Sequence, residues 1–346
     1  MADVDKIWTD PYANYPVKYT EQVKDKKTME NVLVTGSTGL VGSAVVRKLK
    51  ELGVKNIFAP THNELDLLNS QEVFKYLVKR DIDYVVHCAG TVAGIIGNSR
   101  DNYGQLFRNL SMGMNLIEAF KECVDLDQDY FKKLLFLGST CIYPRDAVQP
   151  IKEESLLTAP LEKTNEGYAL AKISCIKMCE FLNSMPVYAG RFITCMPTNV
   201  YGINDKYDPV RSHVFPALVR KICDAKDYGY DVVKIGGNGL PVRSFICSDD
   251  LADAICFLLQ NYSGSEHLNV GCSEQISIRD LAELIAKIVG YTGRFEYDLS
   301  IPNGTLVKIE DTTKIKALGW KPKISLEEGI AMVVADYRLA RQNSKV

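Results

Sequence analysis

Val32-Leu33-Val34-Thr35-Gly36-Ser37-Thr38-Gly39-Leu40-Val41-Gly42 decides the fold. A short β-branched run ends in a glycine-rich turn, and an amphipathic stretch over about 40–52 follows. Strand, loop and helix in that order place a pyrophosphate at a helix N-terminus. Gly36 allows the tight turn, Gly39 lets backbone approach the anion, and Gly42 permits close helix–strand packing. Ser37, Thr38, Leu40 and Val41 complete this cradle. The GxxGxxG spacing differs from the commoner GxGxxG.

Outward from this stretch, further apolar runs recur. Tyr84-Val85-Val86, Leu134-Leu135-Phe136-Leu137 and Phe192-Ile193-Thr194 are too apolar for half-exposed strands and fit a parallel sheet covered on both faces. Amphipathic stretches at about 70–79, 104–123 and 167–184 alternate with them, which predicts an α/β fold with a doubly wound parallel sheet of the Rossmann type. Beyond Asn199 the rhythm changes. A Gly/Asp/Pro segment at 202–209 precedes a helix at about 214–225 and a strand at about 232–235. Helices at about 248–260, 277–289 and 325–341 follow, with a turn-rich region at 291–323. The division expected is an appended arm over 1–29, a dinucleotide-binding domain over 30–200 plus about 245–272, and a smaller C-terminal α/β substrate lobe over about 201–244 plus 273–346. The arm carries Trp8, Tyr12 and Tyr15, and its function is not readable.

The 346 residues are 46% hydrophobic and 24% charged with a net charge of −2, an ordinary globular balance. No field of one sign argues for nucleic acid or an anionic membrane, so neither is expected as a partner. No apolar run approaches the roughly 20 residues that span a bilayer. The ten cysteines sit mostly in apolar segments, as Cys175, Cys179, Cys195 and Cys256 do. No CxxC pair marks a zinc site and no metal is expected, so a reducing, cytoplasmic setting fits best.

Which dinucleotide is bound depends on the residues after the second strand. A carboxylate there would bond the ribose 2′-hydroxyl and repel a 2′-phosphate. The strand at about 57–59 instead runs into Pro60-Thr61-His62-Asn63, with no acid before Glu64. NADP(H) is therefore expected, with Thr38, Thr61 and His62 as candidates near the phosphate. Asp66 and Leu67, read as following a third strand, would sit near the adenine. Ala89 and Gly90, read as following a fourth, would flank the cofactor. Asn109, Pro197, Asn199 and Val200 join the cofactor-binding set.

Gly167-Tyr168-Ala169-Leu170-Ala171-Lys172 places a phenol and an ammonium four residues apart on one helix face. The lysine can stabilise a tyrosinate and lower a phenol pKa that is otherwise about 10. Ser139, closing a buried strand in Gly138-Ser139-Thr140-Cys141-Ile142-Tyr143-Pro144, completes a proton-handling trio for making or breaking a carbonyl. Cys141, two residues beyond, points to chemistry besides reduction.

Tyr168, Lys172 and Ser139 resemble the catalytic trio of extended short-chain dehydrogenase/reductases, which act largely on nucleotide-activated sugars. The Ser139–Pro144 stretch, Pro197-Thr198-Asn199-Val200-Tyr201-Gly202, Ser212-His213-Val214-Phe215-Pro216-Ala217-Leu218, Val242-Arg243-Ser244-Phe245 and Leu318-Gly319-Trp320 resemble the GDP-L-fucose synthase family in particular. The similarity runs from about residue 31 to the C-terminus. It implies epimerisation at C3 and C5 of a GDP-linked 4-keto-6-deoxyhexose, followed by hydride delivery to C4 from NADPH. A 4-keto group acidifies the hydrogens on both neighbouring carbons, so epimerisation needs a base on one face and an acid on the other. By resemblance Cys141 is the base and His213 the acid. Tyr168 would protonate the C4 oxygen, Lys172 hold the nicotinamide ribose, and Ser139 bond the carbonyl. Arg243 and Lys308 match the family's diphosphate anchors. Asn199, Val214, Leu218, Lys221 and Ile235 complete the substrate-binding set. A homodimer through the helices at about 104–123 and 167–184 is also implied.

Three departures touch the pocket walls. Lys234-Ile235-Gly236-Gly237 has glycine where the family often has tryptophan near the base. The 202–207 loop and the 91–95 loop also differ from the family pattern. They leave open an NAD-dependent epimerase or a 4-reductase of a related sugar. A non-catalytic dinucleotide-binding regulator would be expected to lack part of the trio.

Overall fold

The computed structural model describes residues 29–92, 100–208, 212–301 and 303–343. The arm over 1–28 lies outside the described residues, as do Ala93, Gly94 and Ile95. Among the described residues twelve strands run in order: β1 (Asn31–Thr35), β2 (Asn56–Phe58), β3 (Tyr84–His87), β4 (Lys133–Leu137), β5 (Phe192–Pro197) and β6 (Asn199–Tyr201), then β7 (Val232–Gly236), β8 (Val242–Cys247), β9 (Leu268–Val270), β10 (Gln275–Ser277), β11 (Arg294–Asp298) and β12 (Val307–Lys308). The described α-helices are α1 (Leu40–Glu51), α2 (Ser70–Lys79), α3 (Asn102–Leu126), α4 (Glu166–Asn183), α5 (Val214–Tyr228), α6 (Ser248–Asn261), α7 (Ile278–Val289), α8 (Thr313–Ala317) and α9 (Leu326–Gln342).

Six parallel strands form the main sheet in the order β2-β1-β3-β4-β5-β9. β3 and β5 are buried along their whole length, as runs with no polar alternation require. One face packs on α2, α3 and α4 through Leu116, Phe120, Phe136 and Ile176. The other packs on α1 and α6 through Val45, Leu49, Leu251 and Ile255. This is the doubly wound architecture expected. The strand order reverses between β1 and β3, which opens a crevice at their carboxyl ends.

The second lobe buries Phe215, Leu218, Ile235, Leu281 and Ile330 among α5, α7 and α9. α5 and α7 stop at Gly229 and Gly290, whose left-handed φ of 74° and 75° suits glycine. β8 is the lobe's organising strand, pairing with β10 antiparallel and with β6 and β12 in parallel.

Three local expectations change. No strand precedes Asp66. Leu65 and Leu67 alternate like a strand and are buried, but Glu64 N and Leu65 N both donate to Thr61 O and wind the segment into turns. Asp66 and Leu67 therefore lead into α2, and Ala89 and Gly90 follow the third strand, not a fourth. The region 291–323 holds β11, paired in parallel with β7, as well as β12 and α8. Within it, Ile315 and Trp320 pack into the main sheet's core, so this part of the chain returns from the lobe.

Candidate active site

The glycine loop separates what the protein needs for itself from what it leaves for a ligand. A Cβ on Gly36, at φ 67°, would lie 2.7 Å from Ala89 backbone atoms, and one on Gly42 would lie 2.2 Å from Gly36 O. Both are glycine because the chain itself is in the way. A Cβ on Gly39 would meet only Gly36 O, at 3.4 Å. Nothing in the protein's own packing there requires glycine, so a side chain would fill the approach to the helix. Gly39 is also the N-cap of α1, with no side-chain cap and no acid in the first turn. The free N–H groups of a twelve-residue helix thus open on a cradle that a pyrophosphate fits. Leu40 and Val41 begin that helix, Thr38 is exposed beside it, and Ser37 Oγ is spent on Ala59 O at 3.1 Å.

On the opposite bank, Asn109 fixes the loop after β3. Its Oδ1 accepts from Thr91 N at 2.9 Å, and its Nδ2 donates to Thr91 O and Gln105 O. Asn109 thus shapes the bank that carries Ala89 and Gly90. At the ribose end His62 is exposed, 3.9 Å from Asp66. Glu64, the first acid after the second strand, is turned back: its Oε2 accepts from Thr61 N and Oγ1 at 2.7 and 2.8 Å. Those bonds hold its carboxyl below the usual range. Asp66 Oδ1 accepts from Leu68 N, and Leu67 O accepts from Asn115 Nδ2.

Ser139 ends β4 and caps a 3-10 turn over Thr140–Ile142, its Oγ accepting from Cys141 N at 3.3 Å. Tyr168, 8% exposed, hydrogen-bonds the Ser139 side chain and lies close enough to Cys141 to feel its charge. Gly167 explains how the phenol gets there. A Cβ on it would lie 2.1 Å from Asn102 O, so α4 begins hard against α3, and Gly167 N donates to Asn102 Oδ1.

Lys172 is not among the groups that set the pKa of this phenol here. Burial pushes the Tyr168 pKa up, Cys141 adds to that, and only the Ser139 hydrogen bond opposes it. Sharing a helix face does not aim the ammonium at the hydroxyl. Lys172 Nζ donates to Leu137 O at 2.8 Å and stands 4.6 Å from the Phe136 ring centroid. Lys172 itself is 5% exposed, and burial pushes its pKa down to about 8. The groups around it are the thiols of Cys175, Cys88 and Cys195 and His87, which burial and Lys172 push down to about 3. In this state Tyr168 is a held proton donor, not a tyrosinate.

Cys141 is half-buried, whereas Cys123, Cys175, Cys179 and Cys195 are deep in the core. His213 is the N-cap residue of α5 but makes no side-chain cap bond, so the imidazole is not spent on the helix. It is exposed to solvent. Desolvation and then Lys206 lower its pKa. Val214 beside it is exposed.

Arg243 and Lys308 are register partners on β8 and β12, so two distant cations emerge side by side. Arg243 Nη1 bonds Val242 O at 2.7 Å. Lys221 is exposed, and its Nζ donates to Lys234 O at 3.0 Å. Leu218 and Ile235 are core residues, each 3% exposed, and support this wall from beneath. Pro197 is buried in β5, Val200 packs on the sheet core, and Asn199 Nδ2 donates to Ser244 O at 3.0 Å, joining β6 to β8. At Gly236 a Cβ would approach Ile301 to 3.0 Å, so Ile301 lies against the glycine that stands where the family often has tryptophan.

Sequence reasoning missed two contributors. Asn204, at φ 69°, sends Nδ2 to Thr38 O at 2.8 Å and so ties the 202–208 segment to the glycine loop. Its signal was an asparagine after glycine in a turn, a residue that tolerates the left-handed region. Glu310, buried beside Thr140 and Ser244, had no local signal.

The parallel sheet, its glycine cradle and the Ser–Tyr–Lys set define a dinucleotide-dependent enzyme of short-chain type. The NAD dependent epimerase/dehydratase family matches residues 32–271, and the chain belongs to it. Within that family it is similar to a probable GDP-L-fucose synthase from Oryza sativa subsp. japonica, 45% identical over 86% of this chain and 89% of the relative. Among solved structures, a GDP-L-fucose synthetase from Naegleria fowleri bound to NADP superposes with TM-score 0.83 at 27% identity, covering 92% of this chain and 96% of that one. A GDP-mannoheptose C4 reductase from Campylobacter jejuni with NADP bound gives TM-score 0.79 at 32% identity, covering 90% and 99%.

Proposed function

We propose that the protein is a bifunctional 3,5-epimerase and 4-reductase that converts GDP-4-keto-6-deoxy-D-mannose to GDP-L-fucose with NADPH. The observation that carries this reading is the turn in which Ser139 caps Cys141 and hydrogen-bonds Tyr168, placing a half-buried thiol beside a neutral phenol. Reduction alone needs the phenol; the thiol is the extra part.

The Gly36–Gly42 loop and the N-terminus of α1 would hold the pyrophosphate of NADP(H), and Lys172 would hold the nicotinamide ribose. When bound the dinucleotide supplies the hydride. Arg243 and Lys308 neutralise the diphosphate and set the sugar's depth. Cys141 takes the proton from C3 and His213 returns one on the opposite face; the thiol then gives its proton to solvent and the imidazole regains one from solvent before the same exchange runs at C5. Each epimerisation therefore leaves the proton count unchanged. Ser139 bonds the C4 oxygen, and Tyr168 gives its proton to that oxygen as C4 becomes an alcohol. A phenol held neutral by burial suits that donation.

The likeness to NADP-bound structures and the absence of a free carboxylate at Glu64 support NADP(H) over NAD. Exposed Phe107 and Met114 on α3 and Leu170 and Phe181 on α4 support a homodimer through those helices. Ten free thiols support a reducing, cytoplasmic setting. No helix among the described residues is long and apolar enough to cross a membrane.

A second reading, a C4 reductase of a related GDP-sugar without epimerisation, is favoured by one observation, the Gly236–Ile301 wall in place of an aromatic. Incubation with NADPH and GDP-4-keto-6-deoxymannose in deuterated water separates the two. The epimerase–reductase oxidises NADPH and takes up deuterium at C3 and C5. NADPH loss without deuterium leaves the reductase, and deuterium without net NADPH loss leaves an epimerase with retained cofactor.

A further inference from the structure

Glu310 is 4% exposed, and its Oε1 is buried without a hydrogen-bond partner. Its Oε2 accepts from Ser244 Oγ at 3.2 Å, and the Thr140 side chain lies close enough to the same carboxyl group to oppose the rise in its pKa. Those two hydroxyls belong to opposite walls of the site. Thr140 lies in the turn between Ser139 and Cys141, and Ser244 follows Arg243 on β8. The backbone holds Glu310 at this seam from both sides. Ile151 N donates to Ile309 O, Asp311 N donates to Ile151 O, and Ile309 N donates to Gln149 Oε1, all at 2.8 Å.

A carboxyl group here is costly. An apolar side chain of similar volume would fill the space without desolvating an acid. Burial also raises the Glu310 pKa, with Lys308, Thr140 and Ser244 opposing, which favours a neutral acid able to accept and donate between hydroxyls. Asn199 extends the tie by donating to Ser244 O.

We propose that Glu310 is a positioning residue that bridges Thr140 and Ser244 and thereby fixes the Ser139–Cys141 turn relative to the strand carrying Arg243. The epimerase base and the diphosphate anchor are then held at one spacing. The catalytic part of this inference rests on the function proposed above; the bridge itself does not.

The test compares Glu310→Leu, Glu310→Gln and Thr140→Val with wild type. The first readout is the iodoacetamide alkylation rate of Cys141, resolved by peptide mass spectrometry with Cys272 as internal control. The second is deuterium exchange into GDP-4-keto-6-deoxymannose. Glu310→Leu should change Cys141 alkylation by about threefold or more and slow exchange about tenfold, with Cys272 and the melting temperature little changed. Glu310→Gln, which keeps the bridge, should restore both to within about twofold, and Thr140→Val combined with Glu310→Leu should be no worse than either alone. The proposal is overturned if Glu310→Leu and Thr140→Val both match wild type, if Gln is as impaired as Leu, or if Cys141 and Cys272 change together as stability falls. If wild type itself shows no exchange, the proposed function fails, and Cys141 alkylation alone still decides the bridge.

Discussion

The two halves of the site are built differently. On the sheet side, Tyr168 and Lys172 are buried and already bonded: Ser139 to Tyr168, Ser139 to Cys141, Lys172 to Leu137 O. On the lobe side, Arg243 bonds its neighbour's carbonyl, Lys221 bonds Lys234 O, and His213 makes no cap bond. The groups that serve the reduction are held before substrate arrives, so little reorganisation remains there, whereas His213, the acid of the epimerisation, is not held by a cap bond. Groups that grip the diphosphate keep long side chains at the surface and bring charge instead of precision. Changes on the sheet side should therefore alter rate or stability, and changes to the lobe-side cations should alter binding.

The largest effect is expected at Tyr168. Tyr168→Phe removes the proton donor and keeps the ring, so kcat for NADPH oxidation should fall by roughly 10²–10⁴. The dissociation constant for GDP, measured by calorimetry, should stay put. Weakened GDP binding with an unchanged kcat would erase the distinction between the halves. Arg243→Ala should do the reverse, raising KM roughly 10–100-fold through the loss of charge-assisted hydrogen bonds to diphosphate. Steady-state kinetics on the same substrate check it.

Lys172 gives a prediction in pH. Its folded pKa of about 8 lies below the unfolded value of about 10.4. The unfolded state binds more protons between these values, so stability rises with pH across that window. The cost of burying the ammonium is fully present below about pH 8. Lys172→Met abolishes that dependence. Urea melts without added NADPH should show the variant's advantage over wild type shrinking between pH 8 and 10.4, by at most roughly 3 kcal/mol. A constant difference would mean that Lys172 is not desolvated.

The smallest contrast lies within the glycine loop. Gly42→Ala should cost about 1–3 kcal/mol, because its Cβ would meet Gly36 O. Gly39→Ala should melt close to wild type yet bind NADPH more weakly, as fluorescence titration would show. Equal melting shifts would remove the separation between packing glycine and ligand glycine.

What could be read from the sequence follows the distance over which each feature is encoded. The sheet strands, the glycine loop and the Tyr168–Lys172 spacing are local patterns, and each lies where its pattern predicts. The direction of the Lys172 ammonium was not legible. Four-residue spacing fixes a shared face but not whether the side chain turns to Tyr168 or to Leu137 O. The strand expected before Asp66 is absent because Glu64 N and Leu65 N both bond Thr61 O and wind the segment into turns. The Arg243–Lys308 pairing came only from resemblance, since strands 65 residues apart in sequence had to meet in register first. Glu310 reaches Thr140 and Ser244 across still wider gaps, where no periodicity operates.

The central claim is that Cys141 adds epimerisation to a site that Tyr168 already equips for reduction. Cys141→Ser tests it most directly, with deuterium uptake at C3 and C5 and NADPH-dependent reduction of an already epimerised 4-ketone measured on one preparation. The account predicts that isotope uptake collapses while reduction of the epimerised ketone persists. Undiminished uptake in the serine variant, or equal loss of both steps, would contradict it.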